Sequence, residues 1–149
     1  MFLTLLIMNK KKIKISIIGL GYVGLPLAIE FGKKYKTIGF DIDNDRVNEL
    51  RNGIDSTLEV NNDELTSLLK QGNFKISSSI DELKDSNVYI ITVPTPVDEY
   101  HKPVLTPLIK ASEMIGKIIQ SDDIIIYEST VYPGLTEEIC VPILESNSK

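Results

Sequence analysis

Residues 13–24 read IKISIIGLGYVG, and this stretch decides the fold. A short run rich in β-branched residues, Ile13 to Ile18, leads straight into Gly19, Gly21 and Gly24, which stand at the opening of a helical pattern from Val23 to Lys34. A lone G-x-G-x-x-G is weak evidence, but between a strand and a helix each glycine has a physical task. Gly19 permits the tight turn, Gly21 lets the backbone approach a pyrophosphate, and Gly24 lets helix and strand pack closely, while the helix N-terminus meets the phosphate charge. A plain strand-to-helix turn is the bland alternative.

Working outward, further strand-like runs fall at Thr37 to Phe40, Phe74 to Ser77, Val88 to Val93 and Ile124 to Tyr127. Helical patterns lie between them at Arg46 to Asn52, Asp63 to Lys70 and Leu108 to Ile119, and an amphipathic stretch runs from Thr136 to Leu144. Strand and helix in alternation imply a parallel sheet. The nearly continuous apolar character of the first and fourth runs implies helices on both faces. The expected fold is therefore α/β, a Rossmann-type doubly wound parallel sheet in a single domain over 13–149, with 1–12 as an extension and the chain cut off after Lys149. Asn62 before Asp63 and Thr106 before Pro107 are expected to begin helices, and Gly53 and Gly72 to stop them.

Asp41 ends the second strand, near the spacing of about 20 residues at which a carboxylate accepts hydrogen bonds from the adenosine ribose. A carboxylate there favours NAD and repels a 2′-phosphate; Arg46 is placed either to stack on the adenine or to form a local ion pair. The alternative for Asp41 is to cap the next helix together with Asp43. Two more loops leave the same edge of the sheet. Val93-Pro94-Thr95-Pro96 is a stiff rim whose Thr95 offers a hydroxyl to the cofactor or merely satisfies its neighbours. Glu128-Ser129-Thr130-Val131-Tyr132-Pro133-Gly134 places Thr130 to position a substrate or water near the nicotinamide, with Glu128 to orient it, although these are also ordinary turn residues.

Composition sets the outer bounds. The 149 residues carry a formal charge of −5 and 42% hydrophobic residues, enough apolar material for one core. No basic cluster interleaved with aromatics exists, which argues against nucleic acid. His101 is the only histidine and Cys140 the only cysteine, so no zinc-type ligand set and no disulfide framework is available, and a cytoplasmic setting is expected. Phe2 to Met8 is too short to span a bilayer, and its lysines follow rather than precede it, unlike a signal peptide. No membrane partner is expected, and Met8 offers an alternative start.

Together the blocks GLGYVGLPLA, VPTP and ESTVYPG resemble the N-terminal domain of the UDP-glucose/GDP-mannose dehydrogenase family, from Ile13 to Leu144. Within it, GIDSTLEV, TPVDEYHKPVLTPL and YESTVYPGLTEEICVPILE are most similar to UDP-N-acetylhexosamine 6-dehydrogenases of the Vi-polysaccharide type. The resemblance implies a four-electron oxidation of a sugar C6 alcohol to a carboxylate with NAD as cofactor and a thiol intermediate, in polysaccharide biosynthesis. It implies cofactor contacts at Gly19, Gly21, Gly24, Asp41, Arg46, Thr95 and Thr130, with Tyr22, Val23, Pro94 and Ser129 beside them. Thr130 also falls near the reacting centre, as an auxiliary. The nucleophilic cysteine and most of the UDP-sugar site lie further along such chains, so 1–149 alone is expected to be inactive, and the full-length protein a homodimer. Cys140 reads as a core cysteine, since no His or Lys adjoins it to lower its pKa. His101 reads as part of a solvated loop. The rival readings are an NAD-dependent dehydrogenase of another substrate class and a non-catalytic nucleotide-sensing domain.

Overall fold

In the computed structural model, which describes residues 13–148, five parallel strands form one sheet in the order β3-β2-β1-β4-β5. The strands are β1 (Lys14–Ile18), β2 (Lys36–Phe40), β3 (Phe74–Ser77), β4 (Val88–Ile91) and β5 (Ile124–Tyr127), interleaved with α1 (Gly24–Gly32), α2 (Asn44–Arg51), α3 (Asn62–Gln71), α4 (Thr106–Gly116) and α5 (Val141–Asn147). The expected extension 1–12 lies outside the described residues.

Alternation along the strands builds two cores. Ile15 and Ile17 of β1 and Val88 and Ile90 of β4 pack with Leu25, Ala28, Ile29, Leu50, Leu65 and Phe74 on one face. Ile18, Tyr89 and Ile91 point to the other face, against Leu108, Ala111, Ile115, Leu135 and Leu144. Successive side chains of a strand leave on opposite sides, so a strand sandwiched by helices is buried on both faces and mostly apolar. β4 meets this demand with all four of its residues buried. The sheet is a doubly wound Rossmann-type sheet, and its strand order reverses between β1 and β4. That switch point opens a crevice at the carboxyl ends of the strands.

Several local expectations shift. Asn61, not Asn62, caps α3, its side chain accepting from the amides of Asp63 and Glu64; the Asn62 side chain instead accepts from Asp55 N–H at 2.9 Å. Two adjacent asparagines are equally able to cap, and the remote partner decides between them. Thr106 is already helical and Leu105 precedes it without a side-chain cap. β4 ends at Ile91, because Thr92 turns its hydroxyl onto the glycine loop. Pro142 stands in the first turn of α5, and a π-helical turn at Thr136–Cys140 runs directly into it. A 3₁₀ helix at Ile80–Asp85 was not expected.

Candidate functional site at the carboxyl edge of the sheet

The glycine loop is held by its neighbours. Gly19 has a φ of 98°, and its N–H donates to Phe40 O at 2.8 Å. A Cβ on Gly24 would lie 1.8 Å from Gly19 O and 2.4 Å from the Thr92 hydroxyl, so no side chain fits there. Gly21 differs: nothing lies within 4 Å of the position its Cβ would take. That space adjoins the first turn of α1, which has no side-chain cap and no acidic residue. By contrast α2 and α3 are capped by Asp43 and Asn61 and carry acidic residues in their first turns. An uncapped N-terminus with open space before it suits an anion. α4 also lacks a cap, but Pro107 in its first turn removes an amide donor.

Leu20 links the loop to the second strand. Its N–H donates to Asp41 Oδ2 at 2.8 Å, and its carbonyl accepts from Arg46 Nε at 3.0 Å. The other Asp41 oxygen accepts from Asp43 N–H at 3.0 Å. Asp41 thus sits on the glycine loop and also braces the turn into α2, while Asp43 alone caps that helix. Arg46 follows the ion-pairing alternative, with Nη1 on Glu49 at 2.9 Å and Nη2 on Asp55 at 2.8 Å. Asp55 is the residue that sequence reasoning missed. Burial works to raise its pKa, yet hydrogen bonds from Thr57, Arg46 and Val60 hold it down at about 2.

The other two loops clasp each other. Thr95 donates its hydroxyl to Thr130 O at 2.7 Å, and Ser129 donates to Val93 O at 2.6 Å. The Thr95 hydroxyl therefore serves its neighbour here, as the bland reading held. Thr92 completes the chain of contacts, donating to Gly19 O at 2.8 Å. Gly19, Gly21, Asp41, Thr95, Ser129 and Thr130 are thereby brought to one edge. Tyr22 and Val23 are exposed at the loop tip, the former at 70%, and Pro94, Glu128 and Thr130 are also exposed.

Other candidates lie elsewhere. Cys140 is buried, and burial pushes its thiol pKa up, the opposite of what a nucleophile needs. His101 is exposed in a turn organised by Asp98, whose Oδ1 accepts from the amides of Tyr100 and Lys102 at 2.9 and 2.8 Å. Among the described residues no group of three His, Cys, Asp or Glu is placed to share a metal ion, and no helix is long and apolar enough to cross a membrane. A cavity of about 180 Å³ lined by Lys14, Lys36, Asn73, Lys75 and Ser86 opens at the opposite, amino edge of the sheet. Ligands of open α/β sheets bind at the carboxyl edge, so the shallow crevice there, rather than this cavity, is the candidate site.

The NAD binding domain of the UDP-glucose/GDP-mannose dehydrogenase family matches residues 13–149. UDP-N-acetyl-D-glucosamine 6-dehydrogenase of Pseudomonas aeruginosa is 56% identical over 93% of this chain and 32% of its own length. Protein CapL of Staphylococcus aureus is 53% identical over 90% of the chain and 31% of its own length. The solved UDP-D-ManNAc dehydrogenase of Pyrococcus horikoshii superposes with a TM-score of 0.86 at 33% identity, covering 91% of this chain and 32% of that one. The chain spans about a third of the length of these relatives.

Proposed function

Because the chain belongs to the UDP-glucose/GDP-mannose dehydrogenase family and corresponds to its NAD binding domain, we propose that it is the cofactor-holding part of a UDP-N-acetylhexosamine 6-dehydrogenase acting in polysaccharide biosynthesis. The observation that carries this reading is the open Gly21 beside the uncapped start of α1, with Asp41 anchored one residue away on Leu20.

In this reading Gly19 and Gly24 fix the turn, and Gly21 with the amides at Tyr22 and Val23 receives the pyrophosphate. Asp41 accepts from the adenosine ribose hydroxyls, with Arg46 at the edge of that pocket. Pro94 and Thr95 on one side, and Ser129 and Thr130 on the other, border the nicotinamide; Thr130 is the auxiliary group nearest the reacting carbon. NAD, when bound, supplies the hydride acceptor for oxidation of a C6 alcohol. The thiol chemistry and the UDP-sugar pocket are assigned to the remainder of the whole protein, a homodimer of the cytoplasm, and residues 1–149 alone do not turn over.

Calorimetric titration of the folded chain with NAD tests the reading. One site per chain is expected, with NADP binding more weakly, and a folded sample giving neither binding heat nor a thermal shift overturns it. Addition of UDP-N-acetylglucosamine to NAD and this chain is expected to form no NADH. The whole protein is expected to form two NADH per sugar oxidised to the acid; a single NADH per sugar contradicts the four-electron assignment.

A further inference from the structure

A free guanidinium beside the ribose carboxylate is the feature that accommodates a 2′-phosphate in dinucleotide sites. Arg46 stands at that place, since it and Asp41 hold the two ends of the same residue, Leu20. Yet each of its three nitrogens is engaged. Beyond Leu20 it donates to Glu49, to Asp55 and, at 3.3 Å, to the Thr57 hydroxyl.

Asp55 is built for this task. Its side chain has 0% exposure, against 11% for that of Arg46. The carboxylate also accepts from the Thr57 amide and hydroxyl and from the amides of Glu59 and Val60, so the segment 57–60 wraps around it. With a pKa held at about 2 it stays ionised through the neutral range. Two carboxylates facing one guanidinium leave a local charge of 1 − 2 = −1, to which Asp41 adds another negative charge.

We propose that Asp55, assisted by Glu49, is a specificity-determining positioning residue. It locks Arg46 against the protein and cancels its charge, so that the ribose end of the crevice offers a 2′-phosphate only repulsion. NAD selectivity then has two sources, the Asp41 carboxylate and the withdrawal of Arg46. This inference rests on the NAD reading above.

The test is titration with NAD and NADP of the parent chain, Asp55→Asn, Glu49→Gln, Arg46→Gln and the Asp55→Asn/Arg46→Gln double variant, each checked for folding by circular dichroism. The NADP-to-NAD affinity ratio is expected to rise about tenfold in Asp55→Asn, as the released Arg46 guanidinium becomes free to meet the 2′-phosphate dianion. Glu49→Gln should move it less in the same direction, and the rise should vanish when Arg46 is also replaced. If Asp55→Asn does not fold, Glu49→Gln decides. A ratio constant within about twofold in the single variants, or an equal rise with and without Arg46, overturns the inference. A parent that binds NAD with a ratio unmoved by these changes sinks this inference alone. A parent that binds neither nucleotide sinks the NAD reading and this inference with it.

Discussion

At the β1–β2 end of the crevice, Leu20, Asp41, Arg46, Glu49 and Asp55 form one continuous set of hydrogen bonds and ion pairs. At the β4–β5 end the side-chain hydrogen bonds between the two loops are Thr95 to Thr130 and Ser129 to Val93, and Glu128, Thr130 and Tyr132 face solvent. The first end is assembled before any ligand arrives; the second is a pair of loops clasped by neutral hydrogen bonds. Regions with few buried contacts open at low free-energy cost, and the loops that meet a substrate come from that group. On the proposed reading, the adenosine half of the site is therefore the rigid anchor and the nicotinamide half the adaptable one.

The sharpest way to break this contrast is to remove Asp55. Asp55→Ala leaves Arg46 with Glu49 as its one carboxylate partner and takes the acceptor from five hydrogen bonds in a fully buried place. A loss of about 3–5 kcal/mol in chemical denaturation is expected. A loss below about 1 kcal/mol shows the network to be no firmer than the loops opposite.

The two ends should also fail at opposite extremes of pH. Burial pushes the Tyr127 hydroxyl up to about 12 from 10.0. Its stabilising contribution is present below pH 10 and is lost as pH rises toward 12, about 3 kcal/mol in all. Tyr127→Phe should flatten that alkaline limb. Asp55 is depressed from 3.8 to about 2, so its contribution of about 2 kcal/mol is present above pH 4 and is lost as pH falls toward 2. Urea midpoints across both windows measure this; Glu49, held below its ordinary value by the Ser56 amide, adds to the same limb, so a limb reduced more in Asp55→Asn than in Glu49→Gln assigns the larger part to Asp55.

A smaller effect separates binding from folding. Gly21→Ala should alter stability by less than about 1 kcal/mol, since its Cβ enters open space. It should weaken NAD by about 1–3 kcal/mol, because that space is the one proposed for the pyrophosphate. Unaltered NAD affinity measured by calorimetry moves the phosphate site elsewhere. Smallest of all, Thr95→Val should cost about 0.5–1 kcal/mol of stability, its partner being a single carbonyl at a solvent-facing loop.

The contrast also separates what could be read from the sequence from what could not. The strands showed as β-branched runs, and the glycine loop showed as a motif, because both are local: periodicity and backbone freedom are written in consecutive residues. Gly24 in particular was assigned close packing, and the 1.8 Å approach to Gly19 O gives the reason. Asp55 escaped because its partner Arg46 comes from a different element, and nothing in their spacing announces an ion pair. The Asp-Ser-Thr run at 55–57 was the available signal, since an aspartate ahead of hydroxyl residues tends to fold the following amides onto itself. The choice between Asn61 and Asn62 as a cap had the same cause, a distant amide at Asp55 that claims one of them. The 3₁₀ helix at Ile80–Asp85 is too short for a period to show.

A structure of the chain grown with NAD tests the central claim most directly. The account predicts the pyrophosphate over Gly21 at the start of α1, the adenosine ribose on Asp41 with Arg46 still bound to Asp55, and the nicotinamide between Thr95 and Thr130. A nucleotide seated elsewhere, such as the lysine-lined cavity at the amino edge, or one that draws Arg46 away from Asp55, contradicts it.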